Sequence, residues 1–200
     1  NNNSAIYISL FSSLATFILS LFVWYSMDYA SADFQFLEEQ SWINDFIKFK
    51  LGIDGISILF IVLTTLITPI CIISCINSVK DRVKEFLISI LILETFMIGV
   101  FCSLDLVVFY LFFEAGLIPM FLIIGVWGGP RRVYSAFKFF LFTLLGSVLM
   151  LVAIIAIYWI TGTTDVTQIY EIKIPKEYQN LLWLAFFSSF AVKTPMWPVH

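Results

Sequence analysis

LVVFYLFFEAGLIPMFLIIGV, residues 106–126, contains a single charged side chain, Glu114, and is otherwise uncharged and mostly apolar. A run of about 20 such residues is long enough to cross the hydrocarbon core of a bilayer as a helix. Windows of the same kind occur at residues 5–27, 55–76, 86–104, 136–160 and 181–200. We therefore predict an all-α membrane protein in which about six transmembrane helices form a single transmembrane region.

The composition excludes a soluble globular protein. Hydrophobic residues make up 60% of the chain and charged residues 12%, and the mean hydropathy is +0.97. Soluble domains are roughly 45–50% apolar and about 25% charged. The apolar windows lack the alternating pattern of membrane barrel strands, so helices are the expected way to satisfy the backbone in lipid. Because the net charge is -3 and no basic patch stands out, we expect no nucleic-acid partner.

The loops between the predicted spans separate by charge when they are assigned alternately to two sides. One side receives a basic set: Lys80, Arg82, Lys84, Arg131, Arg132 and Lys138. The other receives a few lysines and an acidic set: Asp28, Asp33, Glu38, Glu39, Asp45, Asp54, Asp105, Asp165, Glu171 and Glu177. The positive-inside rule then predicts that the first terminus and loops 77–85 and 127–135 face the matrix or cytoplasm.

Two acidic residues and three cysteines are expected to have structural rather than functional roles. Asp54 and Asp105 each stand at the start of a predicted span, where a carboxylate caps the free amides of a helix. Cys71, Cys75 and Cys102 lie within predicted helices without a CxxC or Cys/His cluster. We expect these cysteines to be buried, small apolar residues, which argues against a zinc or iron–sulfur site.

Three charged side chains, Glu94, Glu114 and Lys193, fall well inside the predicted spans. At 1.5 Å per residue they lie roughly 14–18 Å from the ends of their spans on the acidic side. Half of a hydrocarbon core is about 15 Å thick, so all three are expected near the middle of the membrane. Ionisable groups at that depth are usually paired and often carry protons, ions or substrate.

The chemistry of these three groups fits an element of a proton pump. Carboxylates that lie close together can share a proton, and a lysine is their natural counter-charge. A carboxylate that approaches the lysine favours the ammonium, and its withdrawal in a dry site favours proton release. An ion pair that only fixes helix packing is the alternative interpretation. Glu94 can either tune Glu114 or serve in packing alone.

The last predicted span ends in VKTPMWPVH, residues 192–200, where two prolines each remove a backbone donor. We expect a broken helix at residues 193–200, and such breaks are tolerated in membranes where the backbone lines a polar cavity. Pro119, five residues after Glu114, either loosens its helix in a similar way or introduces an ordinary proline kink. His200, the single histidine, is either a proton relay or a packing residue.

These segments resemble a known family. FYLFFEAGLIPM (109–120), GVWGG (125–129), KFFLFTLLGS (138–147) and VKTPMWPVH (192–200) are similar to the antiporter-like membrane-arm subunits of respiratory NADH:ubiquinone oxidoreductase, complex I, called chain 4 or subunit M. DGIS (54–57) fits as well. The likeness extends over nearly the whole chain.

The resemblance implies a subunit that pumps protons across the mitochondrial inner membrane, or a bacterial plasma membrane, using electron transfer in other subunits. It maps the family's intramembrane pair onto Glu114 and Lys193, a further acidic position onto Glu94, and the polar axis after the broken helix onto His200. NADH, FMN, Fe–S and quinone are expected in partner subunits, because this chain has no GxGxxG and no cysteine cluster. The expected partners are other membrane-arm subunits and the lipid bilayer.

The resemblance also predicts how much of a whole family member this sequence covers. Family members have about fourteen helices in two inverted repeats, whereas this sequence has no initial Met and ends within the broken helix. We expect it to correspond to the N-terminal half only, as a fragment or a split-gene product whose remainder is the same or a separate chain. The alternatives are a subunit of a multisubunit Na⁺/H⁺ antiporter or a hydrogenase, and a structural membrane-arm component that does not pump.

Overall fold

The computed structural model describes residues 2–43 and 47–200, and the described residues are mostly helical. Helices α1 to α3 are Asn2–Tyr25, Ser57–Cys75 and Val83–Cys102, and a hairpin of β1 (Gln35–Ile43) and β2 (Ile47–Ile53) separates the first two. The later helices are α4 (Leu106–Ala115), α5 (Leu117–Trp127), α6 (Arg132–Thr161), α7 (Val166–Ile169) and α8 (Lys176–Lys193).

Five segments of the described chain are long and apolar enough to cross a membrane. They are α1, α2, α3, the combined segment Leu106–Trp127 formed by α4 and α5, and α6. The sixth apolar window corresponds to α8, which is more polar because Lys176 and Glu177 open it and Lys193 ends it. The helical membrane fold is confirmed, with five clear spans where about six were predicted, and the described chain also contains a β hairpin, so it is not purely α-helical. After Lys193 the chain continues in turns, as expected from the two prolines.

The helices pack side by side in a connected series. Helix α1 lies against α2 and α3, α3 against α4 and α5, α5 against α6, and α6 against α8. Small hydroxyl residues permit close approach within the first group, where the Ser20 and Thr65 hydroxyls are 2.8 Å apart. Small polar residues commonly hold membrane helices together, because they allow close backbone approach and interhelical hydrogen bonds.

The β hairpin was not predicted by the sequence analysis, which assigned residues 28–54 to an acidic loop. Strands β1 and β2 are antiparallel, with Glu39 opposite Lys50. The Lys48 ammonium bonds the Glu39 carboxylate at 2.5 Å. The alternation in IKFKL, residues 47–51, is the sequence signal for the second strand. Asp45, assigned above to the acidic side, lies outside the described residues.

The loops lie at two opposite ends of the helices, which we call the hairpin end and the basic end. At the hairpin end, Ser103 bridges to Leu51 of β2 and Asp105 bridges to Asp165. At the basic end, Ala5 and Ile6 near the start of α1 pack with Val79 and Val83 around the α2–α3 loop. The loops with the acidic and basic sets are therefore at different ends of the bundle.

The two aspartates assigned to helix starts do cap helices. Asp105 Oδ1 accepts hydrogen bonds from the amides of Val107 at 2.8 Å and Val108 at 3.1 Å, at the start of α4. Asp54 Oδ1 accepts from the amide of Ser57, the first residue of α2, at 2.7 Å. Both contacts satisfy amides that have no partner within the helix.

A network of buried polar groups joins three segments at the hairpin end. Thr164 Oγ1 donates to Asp105 Oδ2 at 2.5 Å. Lys50 Nζ donates to Asp165 Oδ2 at 2.7 Å and to Thr167 Oγ1 at 2.8 Å. We call these five residues the hairpin-end network. It ties β2 to the α3–α4 turn and to the segment that follows α6.

The cysteine prediction was partly wrong. Cys71 is exposed on α2, and Cys75 and Cys102 are only partly buried. A thiol is apolar enough to face lipid, and an apolar membrane helix presents such residues on all of its faces, so the helical sequence alone does not predict burial.

The hairpin-end network predicts a strong effect of Lys50→Met. The Lys50 and Asp165 side chains are only 12% and 6% exposed, so the substitution leaves a buried carboxylate without its cation. We expect a loss of about 3 kcal/mol in the free energy of unfolding, measured by thermal or denaturant unfolding in detergent. Lys173→Met, at an exposed lysine of the same end, is the control and should change stability little. Equal stability of the two variants would contradict the proposed importance of the network.

The same pair predicts a pH dependence. Burial acts to raise the pKa of the Asp165 carboxyl, but hydrogen bonds from Lys50 and Thr167 outweigh burial and hold this pKa below its ordinary value. Ionised Asp165 therefore stabilises the fold above the ordinary pKa of about 3.9, and this contribution disappears as the pH falls through the lower folded value. The stability difference between the parent chain and Lys50→Met should thus shrink in acid. A difference that stays constant from neutral pH down to about pH 3 would show that this pair does not titrate as described.

Candidate functional site

Lys193, the last residue of α8, has its ammonium against the end of α4. Lys193 Nζ donates to the backbone carbonyl of Phe113 at 2.7 Å. It also lies 3.0 Å from the centroid of the Phe113 ring. A carbonyl oxygen and an aromatic face are both favourable partners for a cation, and each is worth more where water is excluded. The structure therefore holds the predicted lysine one residue away from the predicted glutamate.

The contact is made where a membrane-spanning helix is interrupted. Helix α4 ends at Ala115, Gly116 forms the junction, and α5 begins at Leu117. Pro119 has no amide to donate to the carbonyl of Ala115, and its ring crowds that carbonyl. The span is therefore interrupted in its hydrogen bonding at Gly116, although the backbone there stays helical at φ -60° and ψ -21°. The interruption places the Phe113 carbonyl at a helix end, where carbonyls lack partners within the helix.

Glu114 lies close to this contact without completing an ion pair. Its Oε1 atom is buried and has no hydrogen-bond partner among the described residues. The ion pairs within 4.0 Å in the described chain join other residues, although Glu114 and Lys193 interact electrostatically. Tyr110, one helical turn earlier, faces both Glu114 and Ser147 of α6. A buried acceptor without a partner is costly, so this carboxylate favours the arrival of a donor.

Glu94 occupies a different environment. It is only 5% exposed, and its side chain interacts with Thr68 of α2. Its Oε1 atom is buried without a partner, and within the described residues no charged side chain interacts with it. The structure therefore directs Glu94 toward α2 rather than toward Glu114. The sequence predicts a depth for Glu94 but not the rotation of α3, which decides its neighbours.

His200 and Lys193 line the same cavity. This cavity has a volume of about 650 Å³ and lies among α3, α4, α5, α6 and the segment after α8. Its walls are mostly aromatic and aliphatic, and Thr143 of α6 adds a hydroxyl. Because His200 is exposed and Lys193 is partly buried, the cavity connects the more accessible group to the more enclosed one. The structure thus brings Lys193, His200 and the end of α4 together.

Close packing between α6 and α8 determines where Lys193 lies. A Cβ atom added to Gly146 would meet the Val192 Cβ atom at 2.9 Å, well inside the usual carbon–carbon contact. Gly146 is itself fully enclosed by its neighbours. Gly146 is not among the site residues that the sequence predicts. An isolated glycine within a helical apolar pattern was the available signal, since it often marks close packing.

Comparisons with known proteins agree with this geometry. Residues 103–200 match the family described as NADH:quinone oxidoreductase/Mrp antiporter, TM. NADH-quinone oxidoreductase subunit M of Rhodobacter capsulatus is 52% identical over 100% of this chain and 41% of its own length. NADH-ubiquinone oxidoreductase chain 4 of Marchantia polymorpha is 51% identical over 96% of this chain and 39% of its own length. This chain is similar to subunit M and chain 4 proteins over nearly its whole length. It spans about two fifths of the length of these relatives.

A solved structure supports the same relationship. A chain of respiratory complex I from Thermus thermophilus with bound NADH superimposes with a TM-score of 0.87 at 27% identity. The match covers 98% of this chain and 41% of that chain. The helix arrangement described above is therefore shared with part of a chain of that complex. Relatives in the subunit M and chain 4 family occur both in bacteria and in plants.

The close contact between α6 and α8 predicts that Gly146→Ala destabilises this subunit M and chain 4 relative. The added methyl group must push Val192 and the adjoining Lys193 away from α6, because the backbone on both sides is helical. We expect a loss of about 1–3 kcal/mol in thermal or denaturant unfolding. A second change, Val192→Ala, should recover part of that loss.

Gly55→Ala provides the matched control, because a Cβ atom there would meet nothing within 4 Å. If Gly146→Ala were as harmless as Gly55→Ala, the contact between α6 and α8 would not position Lys193.

Proposed function

We propose that this chain forms part of a proton-translocating membrane-arm subunit of NADH:quinone oxidoreductase. The single observation that carries the proposal is the contact of Lys193 with the Phe113 carbonyl, beside a buried carboxylate oxygen of Glu114 that has no hydrogen-bond partner among the described residues. An ammonium and a carboxylate this close to each other, without a direct ion pair, form an arrangement that can switch between an open and a closed state.

The proposed proton transfer uses the chain's own groups. In the open state the Phe113 carbonyl and ring hold the Lys193 ammonium. In the closed state the ammonium moves from this carbonyl to Glu114 and satisfies its unpaired oxygen. Departure of the carboxylate removes that stabilisation, and the ammonium can then pass its proton to a neighbouring acceptor. A small displacement of α8 against α4 would be enough to change between the two states.

The cavity provides the proposed route away from Lys193. The imidazole of His200 is the proposed relay group, because it lines the same space as Lys193. Water molecules in that space would connect the two groups. Glu94 has a separate place in this scheme, because it faces Thr68 on α2 and acts on the pair through helix packing rather than by contact.

The proposed setting follows from the relatives. We infer that electron transfer, with NADH, FMN, Fe–S clusters and quinone, takes place in partner subunits, and that other membrane-arm subunits contact this one. The chain would contribute the N-terminal part of the subunit, and further protein would complete the path beyond His200. The expected membrane is a mitochondrial inner membrane or a bacterial plasma membrane. The basic end would face the matrix or cytoplasm, in keeping with its arginines and lysines.

A second candidate function is transport in a multisubunit Na⁺/H⁺ antiporter. The matching family description includes Mrp antiporters together with NADH:quinone oxidoreductase, so the helix fold is common to both. The relatives with about 50% identity are oxidoreductase subunits, which favours the first candidate. Purification of the native assembly distinguishes the two functions. Quinone reduction by NADH should copurify with this chain, whereas Na⁺-dependent exchange without quinone reduction would favour the antiporter.

The proton-transfer proposal predicts that Glu114→Gln and Lys193→Ala each reduce proton translocation. The amide cannot form an ion pair, and alanine removes the proton carrier. We expect a decrease of about tenfold or more in proton uptake by reconstituted vesicles, while the assembly still forms. Vesicle pH recorded during NADH oxidation measures the effect.

Glu177→Gln and Lys176→Ala are the matched controls. They change the same residue types at the exposed start of α8, away from the cavity, and should leave translocation near the parent level. An unchanged ratio of protons to electrons in both site variants would reject the pump. Loss of assembly with an unchanged ratio in the remaining complex would instead indicate a structural component that does not pump.

A further inference from the structure

A second cavity lies at the basic end, away from Glu114 and Lys193. It has a volume of about 600 Å³ and opens between the α2–α3 loop and the junction of α5 with α6. Residues 78–82 form one wall, and residues 125–127 together with Arg132 and Val133 form the other. In contrast to the cavity beside Lys193, its lining is rich in charged groups. We call it the basic-end pocket.

The charges of the basic-end pocket favour an anion. Lys80, Arg82 and Arg132 line it, against the single carboxylate of Asp81. Arg82 forms an ion pair with Glu85, and an Arg132 guanidinium nitrogen donates to the Val126 carbonyl at 2.7 Å. Lys80 forms no ion pair with any described residue. The pocket therefore holds a net positive charge and at least one cation that is available to a ligand.

The start of α6 adds to this positive potential. Helix α6 has 30 residues, and its first turn contains no acidic residue and no side-chain cap. The first amides of a long helix carry partial positive charge and bind phosphate groups well. Arg132 and Val133, which line the pocket, belong to that first turn. The helix end and the three cationic side chains thus act on the same space.

The pocket is shaped by contacts within the described chain rather than left by loose loops. Trp127 Nε1 donates to the carbonyl of Asp81 at 2.8 Å and joins the two walls. The Trp127 ring also packs edge to face on Phe86, with centroids 5.1 Å apart. Arg82 has a left-handed backbone with φ 51°, an uncommon conformation for a residue other than glycine. These contacts hold the loop in the shape that creates the pocket.

Exposed apolar side chains extend from the pocket along both adjoining helices. On α6, Val133, Phe137 and Leu141 are spaced four residues apart and are 59%, 54% and 60% exposed. On α5, Ile118 and Leu122 are 58% and 43% exposed, on the face that continues toward Val126. Side chains four residues apart share a helix face. A charged pocket at the end of a membrane helix therefore adjoins two apolar rows directed into the membrane.

We propose that the basic-end pocket binds the phosphate headgroup of an anionic phospholipid, with the acyl chains along the exposed rows of α5 and α6. Lys80 and Arg132 contact the phosphate, the α6 amides add hydrogen bonds, and Trp127 holds the walls together. Basic pockets between membrane helices on the matrix or cytoplasmic side suit lipids of this class. The occupant is a phospholipid rather than free phosphate, because the apolar rows begin at the pocket.

Native mass spectrometry of the purified native assembly, reconstituted with phosphatidylglycerol or phosphatidylcholine, tests the proposal. The combined variant Lys80→Gln and Arg132→Gln should bind phosphatidylglycerol roughly thirtyfold more weakly, because each cation near the surface contributes about fivefold. The control variant Lys173→Gln and Lys176→Gln removes two exposed lysines at the hairpin end and should retain phosphatidylglycerol at the parent level. Phosphatidylcholine should be retained weakly by all three proteins.

Two further measurements keep the outcome clear. Lys80→Arg preserves the charge and should retain phosphatidylglycerol, which separates loss of binding from loss of folding. Inorganic phosphate at millimolar concentration should displace little of the lipid. Equal retention of both lipids by the parent, or an equal loss in the hairpin-end control, would overturn the proposal. If the pocket binds inorganic phosphate strongly but retains no phosphatidylglycerol, it is a site for free phosphate. That result would overturn the lipid site as well.

Discussion

The hydrogen bond from Lys193 to the Phe113 carbonyl is the interaction on which the organisation of the site depends. An ammonium in an apolar surrounding must find oxygen acceptors, and an unbroken helix offers only carbonyls that already accept a backbone amide. The interruption at Gly116 provides a carbonyl at a helix end, and the close approach of α6 to α8 at Gly146 holds the lysine where it can reach it. The aromatic ring of Phe113 covers the cation from another direction. The interruption at Gly116, the packing at Gly146 and the partly buried charge of Lys193 therefore depend on one another.

The two ends of the bundle are built differently, and this contrast follows from their residues. At the hairpin end, aspartates, threonines and one lysine satisfy one another, so β2, the α3–α4 turn and the segment after α6 form a single connected unit. At the basic end the cations outnumber their partners and leave a pocket with open donors. The buried polar groups of the hairpin end bond one another, while the basic-end pocket retains positive charge for a ligand from outside the chain.

Much of this arrangement could be predicted from the sequence, and the remainder has identifiable physical causes. Spans, caps and intramembrane charges depend on local composition, so Asp54, Asp105, Glu114 and Lys193 were recognisable. The hairpin was missed although residues 47–51 alternate, because the acidic composition around them favoured a loop. The partners of Glu94 depend on the rotation of α3, and the contact of Lys50 with Asp165 joins positions 115 residues apart. Such contacts are set by tertiary packing and cannot be read from one sequence.

The length of α6 constrains how the whole bundle lies in its bilayer. Thirty helical residues extend for about 45 Å, whereas a hydrocarbon core is about 30 Å thick. Most of that length is apolar, so α6 must either incline from the membrane normal or thicken the lipid around it. Inclination of α6 would place Lys138 below the interface unless its side chain extends toward the basic end. The Lys138 ammonium does lie 5.9 Å from the ring centroid of Tyr134, which is one turn nearer that end. Bilayer thickness is thus a mechanical variable that acts directly on α6, the helix that carries Gly146.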